Sequence, residues 1–501
     1  MIWMSSCKKW EDHTVVTPSQ LNETLMEHIN KEPALSTFAG YVVKTGLDSL
    51  LNASRSFTVF APDNQALAGL SPAIVADNAQ LKGFLLNLIS EKTYFTREQS
   101  DSLRVPMLNG KRVFFSNNHL ADAELTQSDI FVKNGVLHVI DKAVEPLPSV
   151  WEYIETSKDN YEQNAYVASL NYKVQDPALA ELDSINPMTS EPVYKPGTGI
   201  VTINTYRTKV YDVGNEDSLY TYIVLDNSTF RAEKNNMAPY FAARSADTTD
   251  ANAAWSVTKD LTVKGLYTTK QLPALMLSRF GVHVAVNAST IVETKMLSNG
   301  IAYIVKAAPS TISEKIPVVY VQGEMPLDFS TTDAKTLAKV FYRQRTNIET
   351  GQPFSDIYAN LGSSGANFYI RYATNELYAT KYKVYWVALN DRVVSGQGDD
   401  AYGSDSTLSQ IVRINPAGYP DSTVFAVAAD VLPDTYTEMY IGEYTNTDYN
   451  WLLSYPASTP DGKSYLLNPA TKYIKLQAPA SVTTGKPYNI MLDYLKFVPV
   501  L

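Results

Sequence analysis

The side chain with the most suggestive chemistry in the sequence is His138, an imidazole set in the apolar run Val136-Leu137-His138-Val139-Ile140. Imidazole titrates near neutrality and can act as acid, base or metal ligand. Catalysis needs a second polar group within reach, and metal binding needs further ligands at a set spacing. The other histidines, His13, His28, His119 and His283, provide no such spacing. Nucleophile-elbow, phosphate-loop and zinc-protease motifs are absent from the sequence. With Val136 and Ile140 on its own strand face, His138 reads as a hydrogen-bonded core histidine. No catalytic residue is assigned and no enzymatic activity is expected.

Two other groups could bind rather than react. Asp399, Asp400 and Asp405 sit among Gly and Ser and offer hard oxygen ligands of the kind calcium takes. They lack EF-hand spacing, so a solvated acidic loop is the favoured reading, and structural calcium here is the one cofactor kept in view. Trp451, Tyr455, Tyr449 and Tyr402, with Tyr419, could stack on the apolar face of a sugar ring. Polar partners for hydroxyls lie beside them in Thr445-Asn446-Thr447-Asp448. Aromatics of this kind also build cores and protein interfaces, and Trp386, inside a strand pattern, reads as core.

Composition narrows the classes. A chain of 501 residues is too long for one core and suggests about three domains. Its net charge of −10, with no basic cluster, argues against nucleic acid as a partner. No apolar run is long enough to span a bilayer. Tyrosine is abundant at 33 residues while charged residues are only 19%, a balance that suits β-rich secreted proteins. The lone cysteine, Cys7, allows no internal disulfide. Small residues before it and a polar run after it resemble the end of a bacterial lipoprotein signal peptide, although the apolar core of such a signal is not in the sequence. That resemblance implies acylation at Cys7, a lipid anchor, and an outer-membrane, cell-surface location.

The elements that must carry these groups begin with Phe57-Thr58-Val59-Phe60-Ala61-Pro62-Asp63-Asn64. This reads as a buried strand running straight into a helix capped by Asp63 or Asn64. Before it, Leu25, His28 and Ile29 follow helical spacing, and Pro33 opens a second helix stopped by Gly46. After it, Leu81, Phe84, Leu85, Leu88 and Ile89 predict one amphipathic helix. Asn134-Gly135 then marks a turn into an apolar run, a central strand. These two boxes, with Asn109-Gly110-Lys111 and the closing Asp141 to Pro146, resemble a fasciclin domain over residues 17–147. The resemblance implies an adhesion and interaction module. Asn87-Leu88 stands where many such domains carry a Tyr-His pair, which argues against integrin-type adhesion.

From Trp151 a second unit begins, and Tyr220 to Phe230 with Asn299 to Val305 resemble worn copies of the two boxes, Tyr303 replacing the histidine. A polar tract from Asp176 to Gly199 reads as an exposed loop. Beyond Pro309, short β-rich runs between Gly, Pro, Asn and Asp clusters predict a sandwich, and the closing Tyr488 to Pro499 resembles the last strand of galactose-binding-like jelly rolls. The expected fold is therefore multidomain: a tether (1–16), two α+β fasciclin domains (17–147 and 148–312, the second degenerate) and an all-β sandwich (313–501). The whole resembles accessory surface lipoproteins of Bacteroidetes. This implies a glycan or other nutrient as ligand, and a TonB-dependent barrel with its lid lipoprotein as partners. The alternative is a purely structural adhesion module that binds no sugar.

Overall fold

A computed structural model describes residues 20–98, 103–116, 118–243, 245–347, 349–374, 377–390, 407–415, 423, 425–433, 435–449, 451–454, 466–469, 472–483 and 487–501. All six residues of the Phe57–Pro62 strand are buried. It pairs in parallel with Gly135–Ile140, from Phe57 opposite Gly135 to Pro62 opposite Ile140. A strand apolar on both faces belongs in the middle of a sheet, and this pair lies inside a seven-stranded one that runs out to Arg104–Pro106. Asp63 makes the corner: its carboxylate accepts from the Ala66 N–H at 2.7 Å and starts the Asn64–Leu67 helix.

The Asn134-Gly135 signal works differently from a simple turn. The hairpin loop is Lys133-Asn134, since Val132 already pairs with Gly135. A Cβ on Gly135 would lie 2.0 Å from the Phe57 carbonyl oxygen, so only glycine lets the two parallel strands approach. Asn134 is a buried peg. It accepts from the Leu25 N–H at 2.7 Å and donates to the carbonyls of Leu51 and Ala53 at 2.8 Å, tying helix, loop and sheet together. The helix read as reaching Ile89 stops at Leu86. Ile89 instead pairs with Val59 in the sheet, and the Phe60 N–H takes the Leu88 carbonyl at 2.9 Å. Both residues are buried, as their spacing requires, but by strand pairing.

A second α/β unit follows. Tyr220–Leu225 pairs in parallel with Gly300–Val305, both strands wholly buried, in a four-stranded sheet. A Cβ on Gly300 would meet the Tyr220 carbonyl oxygen at 2.1 Å. Asn299 accepts from the Val150 N–H and donates to the carbonyls of Val213 and Asn215. The capping box of Thr24 with Glu27 has its counterpart in Ser149 with Glu152. Asp176 to Gly199 is not a loop. Asn171–Gln175 pairs with Ile200–Asn204, and Leu182–Ile185 with Pro192–Tyr194, so the tract is a projecting two-tier hairpin.

The remaining residues are strand-rich and antiparallel. One sheet joins Val319–Gln322, Tyr494–Val500, Lys381–Val387 and Met439–Thr445, and another joins Asp328–Phe329, Tyr369–Thr374, Lys472–Gln477, Leu408–Ile414 and Phe425–Val431. Their inward side chains, Trp386, Tyr372, Tyr382, Val412 and Phe497 among them, form one core. Trp386 is fully buried, as its strand context predicts. Val340–Thr346 and Pro353–Ala359 carry an internal ion pair, Arg343 with Asp356, from which both side chains are wholly removed from water.

Candidate functional site

His138 is a structural residue. Its ring stacks on Phe60 at 5.1 Å and lies against Phe115 at 5.6 Å. Nδ1 accepts from the Asp129 N–H at 3.2 Å, which leaves the proton on Nε2 to donate to the Tyr94 carbonyl at 3.0 Å. Burial pulls its pKa below the ordinary imidazole value, so the neutral tautomer fills the site. Neither nitrogen is left for chemistry.

The first two units meet through charge. Arg104 donates to the backbone carbonyls of Glu216 at 2.9 Å and Ser298 at 2.7 Å. Lys111, from the Asn109-Gly110-Lys111 hairpin, pairs with Glu216 at 3.1 Å and with Glu152, and Arg112 pairs with Asp217. Ser298 donates to the Glu216 carboxylate at 2.6 Å. Glu216 is thus the hub of the junction, and it sits in the loop that the Asn299 peg also holds.

The second unit meets the strand-rich region through aromatics. Tyr378 and Tyr449 stack at 4.9 Å and 5° between planes, and Phe241 packs edge-on to both. Backbone bonds run alongside, from the Ala379 N–H to the Tyr240 carbonyl at 2.8 Å and from the Tyr449 N–H to the Ala242 carbonyl at 2.6 Å. Asn446, buried, holds the Tyr378 loop by donating to the carbonyls of Leu377 and Tyr378.

Beside this contact lies a cavity of about 280 Å³. Phe241, Tyr378 and Tyr449 line one part of it, Trp255 and Phe280 another. Trp255 comes from the Ala246–Thr258 helix, whose C-terminus is capped by Lys259. Lys259 lies over the Phe280 ring at 4.5 Å and contacts the wholly buried Asp260 at 3.1 Å. Lys315 reaches the same carboxylate at 2.6 Å and donates to the Ser256 carbonyl at 2.6 Å, while Ser278 donates to its other oxygen at 2.8 Å. Burial holds the Lys259 ammonium below the ordinary lysine range, and the Lys315 charge pushes the same way. Glu314 also borders the space, with its carboxylate taken by the backbone N–H and Nδ1 of His283 at 2.7 and 2.8 Å. Those hydrogen bonds keep it below the usual carboxylate range.

Of the aromatics proposed from sequence to meet a ligand, the structure brings Tyr449 to this cavity. Tyr449 is 5% exposed, in the junction rather than on an open loop, because its own N–H and ring both dock on the second unit. Trp451 follows a polar run that suggests an open loop, but its backbone forms the strand Trp451–Ser454, paired with Leu466–Pro469. Tyr402, Tyr455, Tyr419, Asp399, Asp400, Asp405, His13 and Cys7 lie outside the described residues. Among the described residues no cluster of three or more His, Cys, Asp or Glu side chains could hold a metal, and no helix is long and apolar enough to cross a membrane. Sequence reasoning missed Trp255, Phe280, Lys259, Asp260 and Lys315. Trp255, Lys259 and Asp260 are neighbours at one helix end, but Phe280 and Lys315 are distant in the chain, and the five share no motif.

The comparisons bear first on the parallel pair and its corner. A family model for the fasciclin domain matches residues 33–146. This part of the chain is a fasciclin domain. Fasciclin domains are associated with adhesion and protein interaction. The chain is similar to human periostin, 25% identical over 142 residues, which are 26% of this chain and 17% of periostin. It is also similar to protein sll1483 of Synechocystis, 29% identical over 155 residues, 28% of this chain and 86% of that protein. Among solved structures, a fasciclin-domain pair from the insect cell adhesion molecule fasciclin I aligns over 56% of this chain and 99% of its own, at 16% identity and a TM-score of 0.23. The CBM36-1 domain of a multidomain xylanase from the hindgut metagenome of Trinervitermes trinervoides aligns over 37% of this chain and 98% of its own, at 13% identity and a TM-score of 0.17.

Proposed function

We propose that the chain is a non-catalytic, cell-surface binding and scaffold protein in which paired fasciclin domains act as a rigid spacer and the strand-rich region meets the ligand. In this reading residues 148–312 are a second, degenerate fasciclin domain and residues 313–501 a galactose-binding-like jelly roll. Cys7 carries the acyl chains that hold the protein on an outer membrane of Bacteroidetes type. There it accompanies a TonB-dependent barrel and its lid lipoprotein and captures a glycan or other nutrient. The observation that carries the scaffold part is the ion-paired junction at Glu216, which fixes the fasciclin domain against a unit using the same glycine approach and asparagine peg. The test is recovery of the protein from detergent-solubilised outer membranes, with mass spectrometry of its partners and of Cys7. An acylated protein with a barrel and lid is the expected result; an unacylated protein recovered alone would remove the membrane and importer parts.

A second reading, adhesion by protein contact without sugar binding, is favoured by the projecting hairpin. Leu182 and Ile185 are more than half exposed there and Met188 is 92% exposed, an apolar tip of the kind that marks protein contact sites. A glycan array separates the two readings, since the adhesion module retains no polysaccharide.

A further inference from the structure

The cavity between the second unit and the strand-rich region has a composition that selects a ligand. Aromatic residues dominate its lining, Trp255, Phe280, Tyr378 and Tyr449. One face of Phe280 carries Lys259 and the two tyrosines stack on each other, which leaves Trp255 and the outer side of the tyrosine pair as surfaces of the kind that takes the apolar face of a ring. Its volume of about 280 Å³ lies just under the range of small-molecule pockets, roughly 300–1,000 Å³, which suits one ring rather than a chain of them. Its charge is uneven. The ammonium groups of Lys259 and Lys315 share the single carboxylate of Asp260, with the Ser278 hydroxyl on that carboxylate as well. Glu314 is taken up by His283, and Lys209 adds a further positive charge at the exposed rim. Glu314 keeps its own negative charge beneath the His283 hydrogen bonds, so Lys209, Lys259 and Lys315 together exceed the carboxylates of Asp260 and Glu314 by one, and that net positive charge beside apolar walls favours an anion that also has a face to stack.

We propose that this cavity binds a single acidic sugar ring, a hexuronate, with its carboxylate toward Lys259 and its apolar face on the tyrosine and tryptophan rings. Tyr378 and Tyr449 belong to the strand-rich region and Trp255 and Lys259 to the second unit, so the ring bridges the two and is bound only while they are docked. The inference rests on the sugar-binding half of the proposed function and is independent of the membrane and importer half.

The test titrates the full chain with D-galacturonate and D-glucuronate, following heat and the fluorescence of the tryptophans. The methyl ester of each acid, which keeps the ring and removes the charge, is the paired probe. The expected result is one bound ring per chain, a fluorescence change, and a preference for acid over ester of about tenfold or more, as a charge-assisted hydrogen bond gives. Lys259→Met should abolish that preference while Asp260 keeps Lys315 and Ser278 as partners, and Lys209→Met, at the rim, should weaken acid binding less. Equal binding of acid and ester, or no response to either acid at millimolar concentration, overturns the proposal. So does binding of 4-hydroxybenzoate in place of the uronates. Should Lys259→Met fail to fold, the acid and ester titrations of the native chain decide alone. A glycan array with the native chain separates this site from the wider reading: retention of neutral glycans with no acid preference removes only the site, and no retention of any glycan removes both.

Discussion

The fasciclin domain and the unit that follows it solve one packing problem with the same polar parts and different rings. In the first, Thr58 donates to the Lys92 carbonyl at 2.7 Å and accepts from the Tyr94 N–H, and the imidazole of His138 donates to the Tyr94 carbonyl. In the second, Thr221 donates to the Gly265 carbonyl at 2.8 Å and accepts from the Tyr267 N–H, and the phenol of Tyr303 donates to the Tyr267 carbonyl at 2.7 Å. Asn64 and Asn227 likewise each bind a helix-start N–H and a carbonyl across the corner. What persists between the two is therefore the set of groups that satisfy buried backbone, while the apolar fillers and the histidine change. Unmet backbone groups are costly whatever surrounds them, whereas volume can be refilled in several ways.

The largest losses are expected at the glycines. Gly135→Ala and Gly300→Ala each drive a Cβ into a carbonyl oxygen of the paired strand. Each should cost its own unit about 4 kcal/mol or more, seen as loss of that unit's transition in chemical denaturation. Should both variants melt every transition together, the two units fold as one and are not independent copies of one packing solution. The pegs come next. Asn134→Ala and Asn299→Ala each strip three backbone groups of their partner, for about 3 kcal/mol apiece. Closely matched losses in the two variants, measured by urea unfolding, would sharpen the equivalence. Glu216→Ala acts between the units rather than within them. It leaves Arg104 and Lys111 without their shared carboxylate and should cost about 2 kcal/mol, with faster proteolysis at the junction and a more extended envelope in small-angle scattering.

The smallest effect is the most discriminating, because the two rings titrate on opposite sides of neutrality. His138 is held neutral by burial, below its ordinary value. An unfolded chain gains a proton there below about pH 6.5, so stability from this site is full above that pH and falls on acidification. Burial raises the Tyr303 phenol, so its contribution is full below about pH 10 and falls as the solution becomes more alkaline. Hydrogen exchange of the two central strand pairs should weaken on the acid side in the first unit and on the alkaline side in the second, by at most about 1.4 kcal/mol per pH unit. His138→Tyr should remove the acid arm, and an unchanged acid arm in that variant would assign it to another group.

Much of this was legible in the sequence where one short segment holds its own reasons. The Phe57–Pro62 strand, the Asp63 cap and the buried role of His138 follow from adjacent residue types. The end of the helix at Leu86 did not, because Leu88 and Ile89 satisfy helical spacing and strand burial alike. The Asp176 to Gly199 hairpin was hidden by its Pro, Ser and Thr content, and its apolar residues face solvent instead of a core, so no alternation pointed inward. In the strand-rich region Leu408–Ile414 and Pro353–Ala359 went unread although both are regular strands. The cavity was illegible for a different reason: Trp255, Lys315, Tyr378 and Tyr449 meet only through the docking of two units, and spacing along the chain carries no trace of that.

The parallel strand pair at the heart of the fasciclin domain also sets the order in which the chain can mature. Phe57–Pro62 has its partner in Gly135–Ile140, near the end of the matched residues 33–146, and the Asn134 peg reaches back as far as Leu25. Contacts between residues so distant in sequence must close a long loop before they repay it, which slows folding. During synthesis, then, the first central strand emerges with only the short Ile89–Ser90 strand to pair with, and its parallel partner comes last. The domain locks only when its last strand arrives, and the second unit repeats the wait from Tyr220 to Val305. Each unit thus has a late, single moment of commitment, before which the nascent chain remains open to chaperones and proteases.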